Sequence, residues 1–309
     1  MRFFHNPFNR INIREAVNGN GETDANVPAG TGNDKGPDAG ISASKLLRNI
    51  KGIIFDFDGT LFDNAMLPFF LIGSYPPDLF RLRTERLIRK NFAGCDYLTP
   101  EAYYNSFFAA LGKACFRSPE KIRYWYYSRF MPHMVQILRK HYQARPGVKE
   151  LFRRFEANAK ERTAHSAAMS QAALLNAPRI AIYSDYPYLK ERLEALGICP
   201  GPDTLLYGPE SFGAQKPAAR PFREIAANMG ARPEEVLVIG DREETDGIGA
   251  FKAGMRFFCL ETGRKHYFRL DPYRSPSTRD SEPHGPSLLM YAGAWDDLNK
   301  LLMERYGLD

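Results

Sequence analysis

The sequence predicts an α/β protein: a parallel sheet with helices on both faces, interrupted by a mostly helical inserted domain. Three observations support this. Short apolar runs at 53–55, 179–183, 204–207, 236–239 and 256–260 have the length and composition of strands buried on both faces. Helix-like segments at 147–155, 188–196, 222–229 and 248–253 separate most of those runs by short turns, the alternation expected of βαβ units. Residues 64–145 break the rhythm, with helical periodicity, many aromatics and no buried-strand run.

Taken in order, the chain divides into three parts. Residues 18–43 are rich in Gly, Asn, Asp, Pro and Ala and hold too little apolar surface to offset the entropy of ordering, so 1–43 reads as a flexible leader. The α/β core comprises 44–63 and 146–309, and the helical insertion is 64–145. Pro146 and Gly147 mark the return to the core. The Ala-rich stretch 157–177 reads as a helix or a helix end, and the polar, proline-bearing 271–286 as a surface loop.

Composition narrows the function classes. A chain of 309 residues, 44% hydrophobic and 25% charged, is ordinary for a globular protein of one or two domains. The net charge of +6 is modest and scattered, so nucleic acid is not an expected partner. The densest basic run is Arg81, Arg83, Arg86, Arg89 and Lys90, which reads as the solvated face of a helix. Four widely spaced cysteines lack metal-ligand spacing, pointing to a reduced, cytoplasmic protein. The apolar stretch 66–72 contains Pro68 and falls well short of the roughly 20 residues that cross a bilayer. The first residues lack the continuous apolar region of a signal peptide, and no membrane association is expected. The aromatic run Tyr124 to Tyr127 reads as core of the insertion.

Chemistry concentrates where the strands end. After the first strand come Asp56, Phe57, Asp58, Gly59 and Thr60, and two carboxylates two residues apart face one site. Their repulsion is costly unless a cation or proton is shared, which argues for a hard metal such as Mg²⁺ with oxygen ligands. Gly59 lets the backbone turn sharply and approach an anion. Three later strands end near Ser184, Lys216 and Asp241, with Asp246 in the turn beyond. An acceptor, a cation and further carboxylates thus gather at the edge where open α/β sheets bind ligands.

These four motifs, in this order, resemble those of the haloacid dehalogenase superfamily across residues 51–260. Asp56, Asp58, Gly59 and Thr60 match its DxDGT; Ser184 matches the second motif; Lys216, Pro217 and Phe222 match the third. Gly240, Asp241, Asp246, Ala253 and Gly254 match the fourth. The resemblance implies a Rossmann-like core with a helical C1-type cap. It also implies a Mg²⁺-dependent phosphatase acting on a small phosphorylated metabolite, with Asp56 as nucleophile and Asp58 as acid and then base.

Ser184 and Lys216 would bind the phosphoryl group beside the turn of Gly59 and Thr60. Asp56, the Asp58 carbonyl, Asp241 and Asp246 would hold the metal. A phosphomutase using the same aspartyl phosphate is the enzymatic alternative, and a non-catalytic phospho-aspartate signalling or interaction protein the non-enzymatic one. Asp185, where relatives often have Asn, reads as the N-cap of the helix containing Leu189 and Leu193.

Overall fold

The structure, a computed structural model, describes residues 10–12, 46–74, 78–165, 178–262 and 290–306. Seven strands form one wholly parallel sheet: β1 (Arg10–Asn12), β2 (Gly52–Asp56), β3 (Arg179–Tyr183), β4 (Leu205–Tyr207), β5 (Val236–Gly240), β6 (Arg256–Leu260) and β7 (Met290–Gly293). Their order is β1-β7-β6-β5-β2-β3-β4. Strand β2 is flanked by β3 and β5, with Gly52 opposite both Arg179 and Val236. The chain leaves β2 towards one side and returns on the other, so the end of β2 is a topological switch point.

Successive side chains of each buried strand point to opposite faces. Ile53, Phe55, Ile180 and Ile182 enter one apolar layer together with helices α6 (Val148–His165), α7 (Leu189–Ala195) and α11 (Trp295–Tyr306). Ile54, Ala181, Val236 and Val238 enter the other, against α8 (Pro209–Phe212), α9 (Ala219–Asn228) and α10 (Ile248–Ala253). That two-sided burial explains why these strands read as unbroken apolar runs.

The insertion between β2 and β3 begins with α1 (Leu67–Ser74), α2 (Leu79–Asn91), α3 (Pro100–Ala114) and α4 (Pro119–Trp125). A π-helical turn (Tyr126–Phe130) then leads into α5 (Met131–His141). It has its own core, built from Tyr103, Phe107, Phe108, Trp125, Tyr126 and Phe130 among others. Helix α3 starts on a Thr99 cap whose Oγ accepts the Ala102 N–H, and α4 on Ser118 in the same way. In the aromatic run, Trp125 and Tyr126 are buried, whereas Tyr124 is 73% exposed.

Two strands escaped the pattern reading. β7 offers only Met-Tyr-Ala-Gly, too short an apolar run to register, and β1 lies inside the segment expected to be a leader. Arg10–Asn12 pairs with β7 at the sheet edge; the rest of 1–43 lies outside the described residues. So does 271–286, and of the Ala-rich stretch the described part continues α6 as far as His165. Among the described residues no helix is long and apolar enough to cross a membrane.

Candidate active site

Asp56 is the last residue of β2 and is 7% exposed. Its Oδ1 accepts from Lys216 Nζ at 2.6 Å and its Oδ2 from Thr60 Oγ1 at 3.0 Å. The chain then turns at Gly59, whose φ is +93°. A Cβ there would lie 2.2 Å from Asp241 Oδ2, so glycine is required both by conformation and by the approach of the carboxylate. Arg145, at the far end of the insertion, clamps this turn: its Nη2 donates to the Gly59 carbonyl at 2.8 Å and its Nε to the Thr60 carbonyl at 3.0 Å.

Asp241 follows β5 directly, and Asp246 lies in a π-helical turn (Glu243–Gly247) leading into α10. At Gly240 an added Cβ would come within 2.6 Å of the Asp246 side chain, so a second glycine admits a second carboxylate. Asp56, Asp241 and Asp246 are all buried, each with a carboxylate oxygen within 4.8 Å of the others. Lys216 Nζ joins two of them, at 2.6 Å from Asp56 and 2.8 Å from Asp246. Three buried carboxylates against one ammonium leave a surplus of negative charge, and burial of unbalanced charge is costly. A hard divalent cation with oxygen ligands fits that donor set.

The electrostatics reflect this crowding. Burial pushes the Asp56 carboxyl up to about 7; Lys216 opposes the shift, and Asp246 and Asp58 reinforce it. Asp246 is raised by burial too, again opposed by Lys216. Burial acts to deprotonate Lys216, yet Asp246, Asp56 and Asp185 together hold it well above its ordinary value. It stays an ammonium.

Asp58 lies beyond the strand. Its Oδ1 accepts from Arg192 Nη2 and its Oδ2 from Ser184 Oγ at 3.3 Å. Ser184, fully buried after β3, also accepts from Arg192 Nη1 at 2.9 Å and from the Tyr186 N–H at 3.1 Å. The predicted residues therefore gather as two linked groups, Asp56–Lys216–Asp246–Asp241 and Asp58–Ser184.

The expected N-cap role of Asp185 does not hold. Helix α7 is preceded by Tyr188 in a left-handed conformation with no side-chain cap, while Asp185 Oδ1 accepts the backbone N–H of Lys216 at 3.1 Å. Its carboxyl, raised by burial, anchors the loop that presents the lysine. The basic run also divides. Arg83, Arg86 and Lys90 face solvent, but Arg89 is buried beside Glu85. Arg89 Nη2 also donates to Tyr126 Oη at 2.9 Å, and its Nη1 to the Asp185 carbonyl at 2.8 Å. Gln215, next to Lys216, bonds the Arg89 carbonyl and the Tyr103 hydroxyl, so the insertion is tied to the loops on both sides of the site.

Arg192 was not foreseen. The available signal was an arginine three residues after Leu189 and one before Leu193, on the apolar stripe of a helix at the ligand end of the sheet.

Residues 50–254 match the haloacid dehalogenase-like hydrolase family. The glyceraldehyde 3-phosphate phosphatase of Methanopyrus kandleri is 33% identical over 81 residues, which span 26% of this chain and about a third of that relative, 34%. Among solved structures, a HAD family hydrolase from Deinococcus radiodurans R1, with bound phosphate and sodium, is 18% identical with a TM-score of 0.43, covering 84% of this chain and 97% of that one. A HAD-hydrolase from Bacillus subtilis bound to magnesium is 15% identical with a TM-score of 0.45, covering 82% and 98%. Since both scores fall below 0.5, assignment rests on the sequence match, which spans well over half of the chain and the whole constellation from Asp56 to Asp246: the chain belongs to the haloacid dehalogenase-like hydrolases.

Proposed function

We propose that this hydrolase is a Mg²⁺-dependent phosphomonoesterase that acts on a small phosphorylated metabolite through an aspartyl phosphate on Asp56. The observation behind this reading is the buried cluster of Asp56, Asp241 and Asp246, with Lys216 bonded to two of its members. The partial likeness to a phosphatase named for a three-carbon sugar phosphate supports a phosphate ester as substrate.

The chemistry follows from what each side chain can do. Asp56 attacks phosphorus, and a covalent intermediate splits one difficult displacement into two easier ones. Thr60 and Lys216 hold its two carboxylate oxygens, fixing the nucleophile's orientation. Lys216 also offsets charge gathering on the transferring phosphoryl oxygens. Asp58 gives a proton to the leaving oxygen and afterwards takes one from the attacking water. Ser184, whose one hydroxyl proton is given to Asp58 in the structure, would turn that proton to a phosphoryl oxygen once substrate is bound, with Gly59 and Thr60 lining the same turn. Asp56, the Asp58 carbonyl, Asp241 and Asp246 would hold Mg²⁺, which when bound would relieve the repulsion between an anionic nucleophile and an anionic substrate.

The test is phosphate release across a panel of phosphate monoesters, by wild type beside Asp56→Asn, with and without EDTA. The reading predicts release that requires both the metal and Asp56. Release that persists without either contradicts it, and transfer of the phosphoryl group to a second organic hydroxyl in place of water identifies a mutase.

A further inference from the structure

Among the described residues Arg192 is the largest fully buried side chain, and nothing in the proposed chemistry uses it. It sits on α7, with its guanidinium carbon 4.3 Å from the centre of the Phe57 ring and 5.6 Å from that of Tyr186. Its Nη2 reaches Asp58 Oδ1, its Nη1 reaches Ser184 Oγ at 2.9 Å, and a longer bond of 3.4 Å runs to the Tyr186 carbonyl. Among the described residues its Nε finds no acceptor.

The hydrogen-bond directions around it are determined. Ser184 Oγ accepts two bonds, from Arg192 Nη1 and the Tyr186 N–H, and its single proton goes to Asp58 Oδ2. Asp58 therefore has one oxygen held by Arg192 directly and the other by a serine that Arg192 also holds. A guanidinium is planar and presents its donors in a rigid fork, which suits it to fixing two acceptors at once. Sandwiched against Phe57 and wholly enclosed, Arg192 cannot touch a substrate.

Resting on the phosphatase reading above, we propose that Arg192 is a positioning residue for Asp58: it sets the carboxyl group in line to deliver a proton to the leaving oxygen. The consequence lies in which esters depend on it. An alkoxide is a poor leaving group and needs its proton during bond cleavage, whereas 4-nitrophenolate leaves without one. Positioning of the acid thus matters for alkyl phosphates and little for 4-nitrophenyl phosphate. Loss of general packing would slow both alike.

The experiment measures kcat/KM, which reports the first phosphoryl transfer, for 4-nitrophenyl phosphate and for the best alkyl phosphate of the panel. The proteins are wild type, Arg192→Gln, Asp58→Asn and the double variant, with thermal unfolding of all four. Arg192→Gln is expected to lower the alkyl value about a hundredfold, the size of a general-acid contribution, with a much smaller loss on the aryl ester. In the Asp58→Asn background it should add no further loss. Arg192→Lys keeps the charge without the fork, tests the site should the glutamine variant unfold, and is expected to fall between the two. Equal losses on both esters, or losses that multiply in the double variant, would overturn the proposal. If wild type cleaves neither ester, the phosphatase reading fails instead; the unfolding data then decide, coupling between the two substitutions supporting the contact and additivity overturning it.

Discussion

Strands β2 and β5 run side by side, and their two ends handle charge in opposite ways. At the N-terminal end, Glu235 just before β5 bonds Lys51 Nζ at 2.9 Å and Arg232 Nη2 at 3.1 Å. Its carboxyl also accepts the Arg232 N–H, and the hydrogen bonds from Arg232 hold it down at about 2. At the C-terminal end, Asp56 closing β2 is pushed up to about 7, first by burial and then by neighbouring carboxylates that Lys216 only partly offsets. One end pairs its charges for stability. The other stores a surplus of negative charge that a cation would offset, the compromise expected of a functional site.

Removing one carboxylate from the crowded end tests that contrast most forcefully. Asp241→Asn should lower turnover by more than about a thousandfold, as losses within a catalytic unit do, and should abolish stabilisation by Mg²⁺. The same variant without metal should melt about 2–4 °C higher, corresponding to roughly 1 kcal/mol of relieved repulsion in a chain of this size. A lower melting temperature would mean that the cluster is not under electrostatic load.

The next effect concerns buried charge that is paired. Arg89 and Glu85 have side chains only 8% and 3% exposed. Breaking the pair with Arg89→Met leaves an enclosed carboxylate and should cost about 3–5 kcal/mol, whereas Glu85→Gln with Arg89→Met should recover much of the loss. Chemical denaturation measures both. Equal destabilisation would show that the contacts of Arg89 with Tyr126 and Asp185, rather than the ion pair, dominate.

Much of this site is legible in the sequence because its parts are local. Asp56, Asp58, Gly59 and Thr60 fall within five residues, and Ser184, Lys216 and Asp241 each follow a recognisable apolar run. Strands buried on both faces announce themselves, so the parallel sheet and its ligand edge were accessible. What escaped depends on tertiary partners. Nothing in the local sequence says that Asp185 bonds the Lys216 amide, that Arg89 of the basic run is buried, or that Arg192 meets Asp58 across 134 positions. β1 joins a strand 280 positions away, Arg10 pairing with Met290, and no periodicity reports that.

Two smaller effects follow from pH. Because Asp56 holds its proton more tightly in the folded than in the unfolded chain, it makes the metal-free protein less stable as pH rises from about 4 to about 7. Mg²⁺ held by Asp56 would have to displace that proton, so the rise in melting temperature on adding Mg²⁺ should be larger near about pH 8 than near about pH 6. A response independent of pH would contradict the burden placed on Asp56.

At the other end the sign reverses. The pairing of Glu235 contributes fully above about pH 4.5 and is lost as pH falls towards about 2. Because its partners are largely solvated, Glu235→Gln should cost no more than about 1 kcal/mol at neutral pH and nothing measurable once the wild-type carboxyl is protonated.

The most direct test of the central claim is to quench the Mg²⁺-loaded enzyme during turnover of its best phosphate ester and map the phosphoryl group by mass spectrometry. The account predicts one acid-stable, hydroxylamine-labile phosphoryl group on the peptide containing Asp56. Label on any other side chain, or undiminished turnover by Asp56→Asn, would contradict it.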